Sequence, residues 1–212
     1  MLTLYDYLPS QNAYKIRLLL NQIGTPFRSK YISIFEGEGK TEAYKAISPT
    51  GTVPAIELEN SITIAESNAI LIYLSEGTQY LPDSPTTRAK VFQWSFFEGE
   101  VIQSGIATLR HWTLTGKDKN RSQELLTSKR ELSIKSLEIM NTHLKQNDYF
   151  AGEYYTVADI SLFAYVHLAG EANLPLDNYR NIIQWIERVR SQDRFLGEIF
   201  PYSIDPYSVR EL

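Results

Sequence analysis

Apolar and polar positions along this 212-residue chain follow two different rhythms. In the first third the rhythm keeps switching. Leu2 and Leu4 alternate with polar neighbours, which predicts a short strand over Met1–Tyr5. Asp6 to Gln11 reads as a loop around Pro9. From Ala13 the spacing becomes helical, with Ile16, Leu19, Leu20 and Ile23 at i, i+3, i+4 and i+7. Gly24 and Pro26 close that helix. A second strand is predicted over Phe27–Ile32, so strand, helix and strand imply a right-handed parallel crossover. Phe35–Thr41 is a polar, glycine-bearing loop, and Glu42–Ile47 fits a short helix. Two alternating pairs, Ile56/Leu58 and Ile62/Ile64, flank Glu59-Asn60-Ser61 and predict a hairpin. Glu66-Ser67 then opens a helix carrying Ile70, Leu71 and Leu74. After GTQYLPDSP, which is rich in turn formers, only the helical rhythm remains. It covers Thr86 to about Thr115, Ser122–Leu144, Thr156–Leu168 and Asn181–Arg190. TVADISLFAYVHL is apolar nearly all round, as a buried central helix is. A tail from Gly197 carries prolines and aromatics.

The element order predicts an α+β thioredoxin-like domain over residues 1–76, a linker over 77–86 and an all-α domain over 87–212. Composition adds exclusions. A 43% hydrophobic content supports a sizeable core, and a net charge of −4 without a basic run argues against nucleic-acid binding. No apolar run is long enough to span a membrane, and MLTLYDYLPS lacks the basic and apolar regions of a secretory leader. The absence of cysteine removes disulfides, thiolate metal sites and a cysteine nucleophile. The expectation is a cytoplasmic protein.

Candidate chemistry concentrates in Ser48–Leu74. Val53-Pro54 interrupts an approach to a strand, and a proline there belongs at a strand's first residue or in a tight turn. A cis Val53-Pro54 bond would present the Val53 backbone N–H and C=O at a sheet edge, where an extended peptide can pair. Ser67 at a helix start would offer N–H groups and a partial positive charge to a carboxylate. An ordinary turn proline and an ordinary N-cap account for either residue alone. The pairing of the two within one stretch suggests grips for a peptide and its acid group. Ser10 and Asn12 stand at the mouth of the first helix, where either could cap it or donate to an anion. Gly37–Thr41 imitates a phosphate-binding loop, but Ile34 replaces the required glycine. His111, His143 and His167 lack metal-ligand spacing, so no metal is expected. His167 reads as a core residue. No G-x-S-x-G elbow supports a hydrolase.

These segments together resemble the cytosolic glutathione transferase family across the whole chain. SQNAYKIRL from Ser10 resembles the serine-type active-site segment, and Ser10/Asn12 also resemble the Thr-x-Asn pattern of the bacterial nu class. GEGKT resembles the phi-class G-E-H-K loop, with Gly39 in place of histidine. SPTGTVPAI is similar to N-P-x-G-x-V-P-A, Glu66-Ser67 to the E-S pair, and TVADI to the second-domain capping motif. The resemblance implies the glutathione transferase architecture and glutathione as co-substrate, with no other cofactor. It implies that Glu66 and Ser67 hold the γ-glutamyl end, Val53 beside Pro54 pairs with the cysteinyl backbone, and Lys40 reaches the glycine carboxylate. Thr52 replaces the usual Gln or Lys before V-P. Ser10, or Asn12 as alternative or partner, would hydrogen-bond the thiolate. Tyr7, Leu8, Arg110, His111 and Trp112 would line the acceptor pocket.

Two functional readings follow. One is an enzyme that conjugates glutathione to small hydrophobic electrophiles, or reduces peroxides or disulfides with glutathione as the nu type does. The other is a binding or regulatory module that keeps the fold without turnover. The presence of Ser10, Val53, Pro54, Glu66 and Ser67 favours the enzyme. The family resemblance and the aromatic run Trp94, Phe96, Phe97 imply a homodimer.

Overall fold

A computed structural model describes residues 1–211 and divides the chain into two units. The first comprises Met1–Glu76 with the tail from Asp193, and the second is Gly77–Gln192. In the first unit the alternating segments form a four-stranded sheet of order β2-β1-β3-β4. Strand β1 (Leu2–Asp6) runs parallel to β2 (Phe27–Tyr31), with Leu2 opposite Phe27 and Asp6 opposite Tyr31. Strand β3 (Ala55–Glu57) is antiparallel to β1, and β4 (Thr63–Ala65) is antiparallel to β3. Helix α1 (Gln11–Ile23) makes the crossover, α2 (Glu42–Lys45) is one short turn, and α3 (Ser67–Ser75) follows the hairpin. The α+β thioredoxin-like order is therefore present.

Two features of this unit differ from the sequence reading. Ser67 is not the N-cap of α3. Glu66 holds that place with φ 70°, and Ser67 is the first helical residue. A side chain in the left-handed region is unfavourable by about 1–3 kcal/mol, so local propensity alone does not reveal this turn. The second difference is the tail. Tyr14 Oη donates to the Leu196 carbonyl at 2.6 Å, Asn21 Nδ2 to the Arg194 carbonyl at 2.6 Å, and Tyr7 Oη to Asp205 Oδ2 at 2.9 Å. Residues 193–211 thus belong with the first unit, whereas the sequence reading includes them in the all-α domain over 87–212.

The second unit contains α4 (Pro85–Phe97), α5 (Thr108–Thr115), α6 (Gln123–His143), α7 (Val157–Val166) and α8 (Arg180–Arg190). Between α4 and α5 the backbone winds as a π-helix over Glu98–Ala107, within the span that periodicity assigns to one long helix. Every residue of α7 is buried, in agreement with its all-round apolar sequence. Asp159 anchors its start. Its carboxylate accepts from the Thr156 N–H at 2.9 Å and the Thr156 hydroxyl at 3.1 Å, closing a capping box. It also accepts from the Phe150 N–H at 3.1 Å and from Trp185 Nε1 at 3.0 Å. One side chain therefore joins the helix start, the preceding loop and α8. Among the described residues no helix is long and apolar enough to cross a membrane.

His167 ends α7 as its C-cap, with its ring stacked on Phe163 at 4.1 Å and Nδ1 against the Phe163 carbonyl. Burial first, then the nearby Arg190 and Arg110 charges, lower its pKa from 6.5 to about 4, although the bond to Phe163 opposes the shift. The folded state therefore binds fewer protons than the unfolded state between these values. Its contribution is complete above about pH 6.5 and is lost as pH falls toward 4. Asp159 has the opposite slope, because burial raises its carboxyl to about 6. Comparing His167→Phe with wild type cancels Asp159. Across the fall from pH 7 to 4 the variant is expected to gain up to roughly 3 kcal/mol over wild type. Urea unfolding at both pH values checks this, and parallel pH profiles for the two proteins would contradict it.

Candidate functional site

Ser10 lies between β1 and α1 and caps α1. Its Oγ accepts from the Ala13 N–H at 3.2 Å, and its own N–H donates to the Tyr7 carbonyl at 2.8 Å. Capping uses the oxygen as an acceptor and leaves the hydroxyl hydrogen to be donated. The loop is held from behind by a buried pair. Arg17 Nη1 donates to Asp6 Oδ1 at 2.5 Å, and Nη2 to the Leu8 carbonyl at 2.9 Å. Sequence reasoning passed over Asp6 and Arg17. Their signal was an acidic residue ending the first strand and an arginine within the apolar run of the first helix.

Asn12 is tied to α3 through its amide oxygen. Its Oδ1 accepts from Ser67 Oγ at 3.3 Å, and Lys15 Nζ donates to the same Ser67 Oγ at 3.2 Å. The structure thus joins Asn12, Lys15 and Ser67 at the first residue of α3. Lys15 carried no signal of its own beyond its place in the SQNAYKIRL segment.

The Val53-Pro54 peptide is cis, as the sequence reading expected. Pro54 directly precedes β3. Two donors converge on the preceding carbonyl, since Tyr44 Oη and Ser48 Oγ both reach Thr52 O at 2.9 Å. The Thr52 side chain bonds to Thr50 Oγ1 at 2.7 Å. The backbone N–H and C=O of Val53 take no partner among the described residues, so they can pair with an extended chain.

Lys40 closes the turn Glu38–Lys40, and its side chain is exposed. The preceding Gly39 explains the departure from the phi-class histidine. A Cβ on Gly39 would lie 2.3 Å from the Gly51 carbonyl oxygen, and a Cβ on Gly51 would lie 2.3 Å from the Gly39 carbonyl oxygen. Backbone meets backbone here, and no side chain fits at either position in this arrangement. This contact ties the Lys40 loop to the segment leading into Val53.

The acceptor-side residues divide. Leu8 is partly exposed, but Tyr7 is fully enclosed. Tyr7 donates to Asp205 and sits edge-on to Phe35 at 5.7 Å. Burial and the Asp205 carboxylate raise its pKa far above that of an ordinary phenol. Tyr7 therefore supports the loop from the core. Arg110, His111 and Trp112 lie in the second unit. Arg110 Nε donates to Glu171 Oε2 at 2.7 Å, Lys117 Nζ lies 3.1 Å from His111 Nε2, and the Arg121 guanidinium lies 4.9 Å from the Trp112 ring centre.

Gly39→Ala is expected to destabilise the protein by about 1–3 kcal/mol, because the new methyl group must push two backbone segments apart. Gly170→Ala is the control, since a Cβ there meets nothing within 4 Å. It is expected to stay within about 0.5 kcal/mol of wild type. Equal midpoints for both variants in denaturant unfolding would show that the Gly39 contact yields freely.

Comparison with known proteins agrees with this geometry. Residues 9–76 match the family model for the glutathione S-transferase N-terminal domain, and residues 106–193 match that for the C-terminal domain. A glutathione S-transferase structure from Pseudomonas fluorescens Pf-5 is 37% identical, with a TM-score of 0.90, over 92% of this chain and 98% of that one. The disulfide-bond oxidoreductase YfcG of Escherichia coli K12 is 25% identical over 91% of each chain. A glutathione transferase family member from P. fluorescens Pf-5, solved with two glutathione molecules bound, superposes with a TM-score of 0.81 at 23% identity, covering 91% of this chain and 89% of that one. On these matches, the chain belongs to the glutathione S-transferase family of enzymes.

Proposed function

We propose that the chain activates the thiol of glutathione through Ser10 and delivers the thiolate to a small hydrophobic electrophile. The observation that carries this reading is the division of labour at the two helix mouths. Asn12 is engaged with Ser67, while Ser10 caps α1 through its oxygen and keeps a hydroxyl hydrogen to donate. Val53 supports it further, offering both backbone groups to the cysteinyl segment. Glu66 and Ser67 would take the γ-glutamyl end, and Lys40 the glycine carboxylate. A free thiol has a pKa of about 8.5, so little thiolate exists at neutral pH. A hydroxyl donating to the anion favours it and lowers that pKa. Serine is too weak a base to remove the proton itself, which leaves to solvent. His111 and Trp112 are proposed on the acceptor side.

Reduction of a disulfide by glutathione is the second reading, favoured by the similarity to YfcG along most of its length. A cysteine-free chain suits either, since glutathione supplies the reacting sulfur, and it fits the cytoplasm. An activity panel pairing glutathione with aryl halide, peroxide and disulfide acceptors separates conjugation from reduction. Inactivity with every acceptor, despite glutathione binding, would favour the non-catalytic module.

For Ser10, the test is the ultraviolet thiolate absorbance of bound glutathione, titrated with pH. Ser10→Ala is expected to raise the bound thiol pKa by about one unit or more, each unit representing about 1.4 kcal/mol of lost thiolate stabilisation. Asn12→Ala is expected to weaken glutathione binding and leave that pKa in place. The reverse pattern would transfer the thiolate contact to Asn12.

We also propose a two-fold homodimer anchored in part by Phe96. Trp94 is buried against Phe150 at 4.6 Å, but Phe96 on the same helix is 73% exposed. An isologous interface would cover it. Wild type is expected to sediment as a dimer at micromolar concentration, and Phe96→Glu to shift toward monomer while retaining its circular dichroism. A monomeric wild type would remove the dimer.

A further inference from the structure

Lys15 is a charged residue with no solvent exposure, on a helix whose neighbouring Tyr14 and Ile16 are equally enclosed. A buried ammonium is costly to keep unless hydrogen bonds and countercharge hold it. Its Nζ lies 3.2 Å from Ser67 Oγ, which lies 3.3 Å from Asn12 Oδ1. Chemistry fixes the direction of both bonds. An ammonium only donates, so Ser67 Oγ accepts from Lys15 and sends its own proton outward, here to Asn12. A hydroxyl that accepts from a cation becomes a stronger donor. Ser67 is also the first residue of α3, whose leading N–H groups have no partner within the helix. A cation, a polarised hydroxyl and a helix start therefore meet at one point.

We propose that Lys15 is the positioning residue for the carboxylate end of glutathione, orienting and polarising the Ser67 hydroxyl so that the site requires a negatively charged γ-glutamyl α-carboxylate. This rests on the glutathione reading above and extends it to a residue and a specificity. On binding, the Ser67 proton turns from Asn12 Oδ1 to the ligand carboxylate, while the Lys15 charge lies behind the bond. No covalent step is involved. The discrimination is against ligands of the same shape that lack the charge.

The test compares calorimetric affinity for reduced glutathione and for an analogue whose γ-glutamyl α-carboxylate is a carboxamide. Wild type is expected to prefer glutathione by about tenfold or more, the scale of a charge-assisted hydrogen bond. Lys15→Met is expected to lose about tenfold toward glutathione but to bind the carboxamide within roughly twofold of wild type. Equal losses toward both ligands would mean that Lys15 only supports packing and would overturn the proposal, as would no loss at all. Should Lys15→Met fail to fold by circular dichroism, wild type still decides. Equal affinity for carboxylate and carboxamide overturns the proposal, and a tenfold preference supports it. A wild type that binds neither ligand refutes the glutathione reading itself, an outcome distinct from a failure of Lys15.

Discussion

The buried Asp6–Arg17 pair is the constraint on which the first unit's chemistry rests. Arg17 spends one arm on the Asp6 carboxylate at the end of β1 and another on the Leu8 carbonyl in the following loop. Breaking such a pair by removing one partner is typically unfavourable by about 3–5 kcal/mol, because the remaining charge stays buried. Its value here is geometric. It fixes the path from strand to helix and so sets where the Ser10 hydroxyl stands. Tyr7, between Asp6 and Leu8, secures the same loop from the other side by bonding to Asp205 in the tail. The proposed donation from Ser10 to a sulfur anion would need this precision, since hydrogen bonds weaken steeply with angle.

The grips beyond Ser10 rely largely on backbone. Val53 presents its main chain because the cis Val53-Pro54 bond precedes β3 and because Tyr44 and Ser48 hold the Thr52 carbonyl. The Gly39–Gly51 contact then sets the Lys40 loop against the same segment. Backbone recognition suits a tripeptide ligand, whose distinguishing features are its extended main chain and its two terminal acids. It also frees the side chain at Thr52 to depart from the family pattern, whereas Gly39 is required by its backbone contact with Gly51.

Much of this was legible in the sequence, for identifiable reasons. Helix α1 has a clear helical period, and α7 is apolar all round and buried throughout. The V-P, E-S and T-x-A-D segments carry backbone and capping requirements that few other residues meet. What escaped has equally physical causes. The Glu66 turn depends on a left-handed conformation that tertiary contacts impose. The tail has aromatics but no period, so its docking on the first unit could not be read from spacing. The bond from Tyr7 to Asp205, nearly the whole chain away, has no local signal. Lys15 is silent in a single sequence, because a lysine in a helix is ordinarily a solvated one.

The separation of Ser10 from Asn12 has a consequence for electrostatics. Two anions on one ligand, a thiolate and a carboxylate, repel each other and are best served by separate donors. Ser10 stands at the start of α1 and Ser67 at the start of α3, and neither helix carries an acidic residue in its first turn. By contrast α2, α6 and α7 carry Glu42, Glu124 and Asp159 there. The positive end of α1 thus stays unneutralised from within, whereas the N-cap of α3 is itself acidic, Glu66. Asn12 lies on α1 but bonds to Ser67 on α3, so it links the two mouths. On the proposed reading, stabilisation of the thiolate and recognition of the carboxylate are tuned independently, with the first assigned to one hydroxyl and the second to a cluster that includes a buried cation.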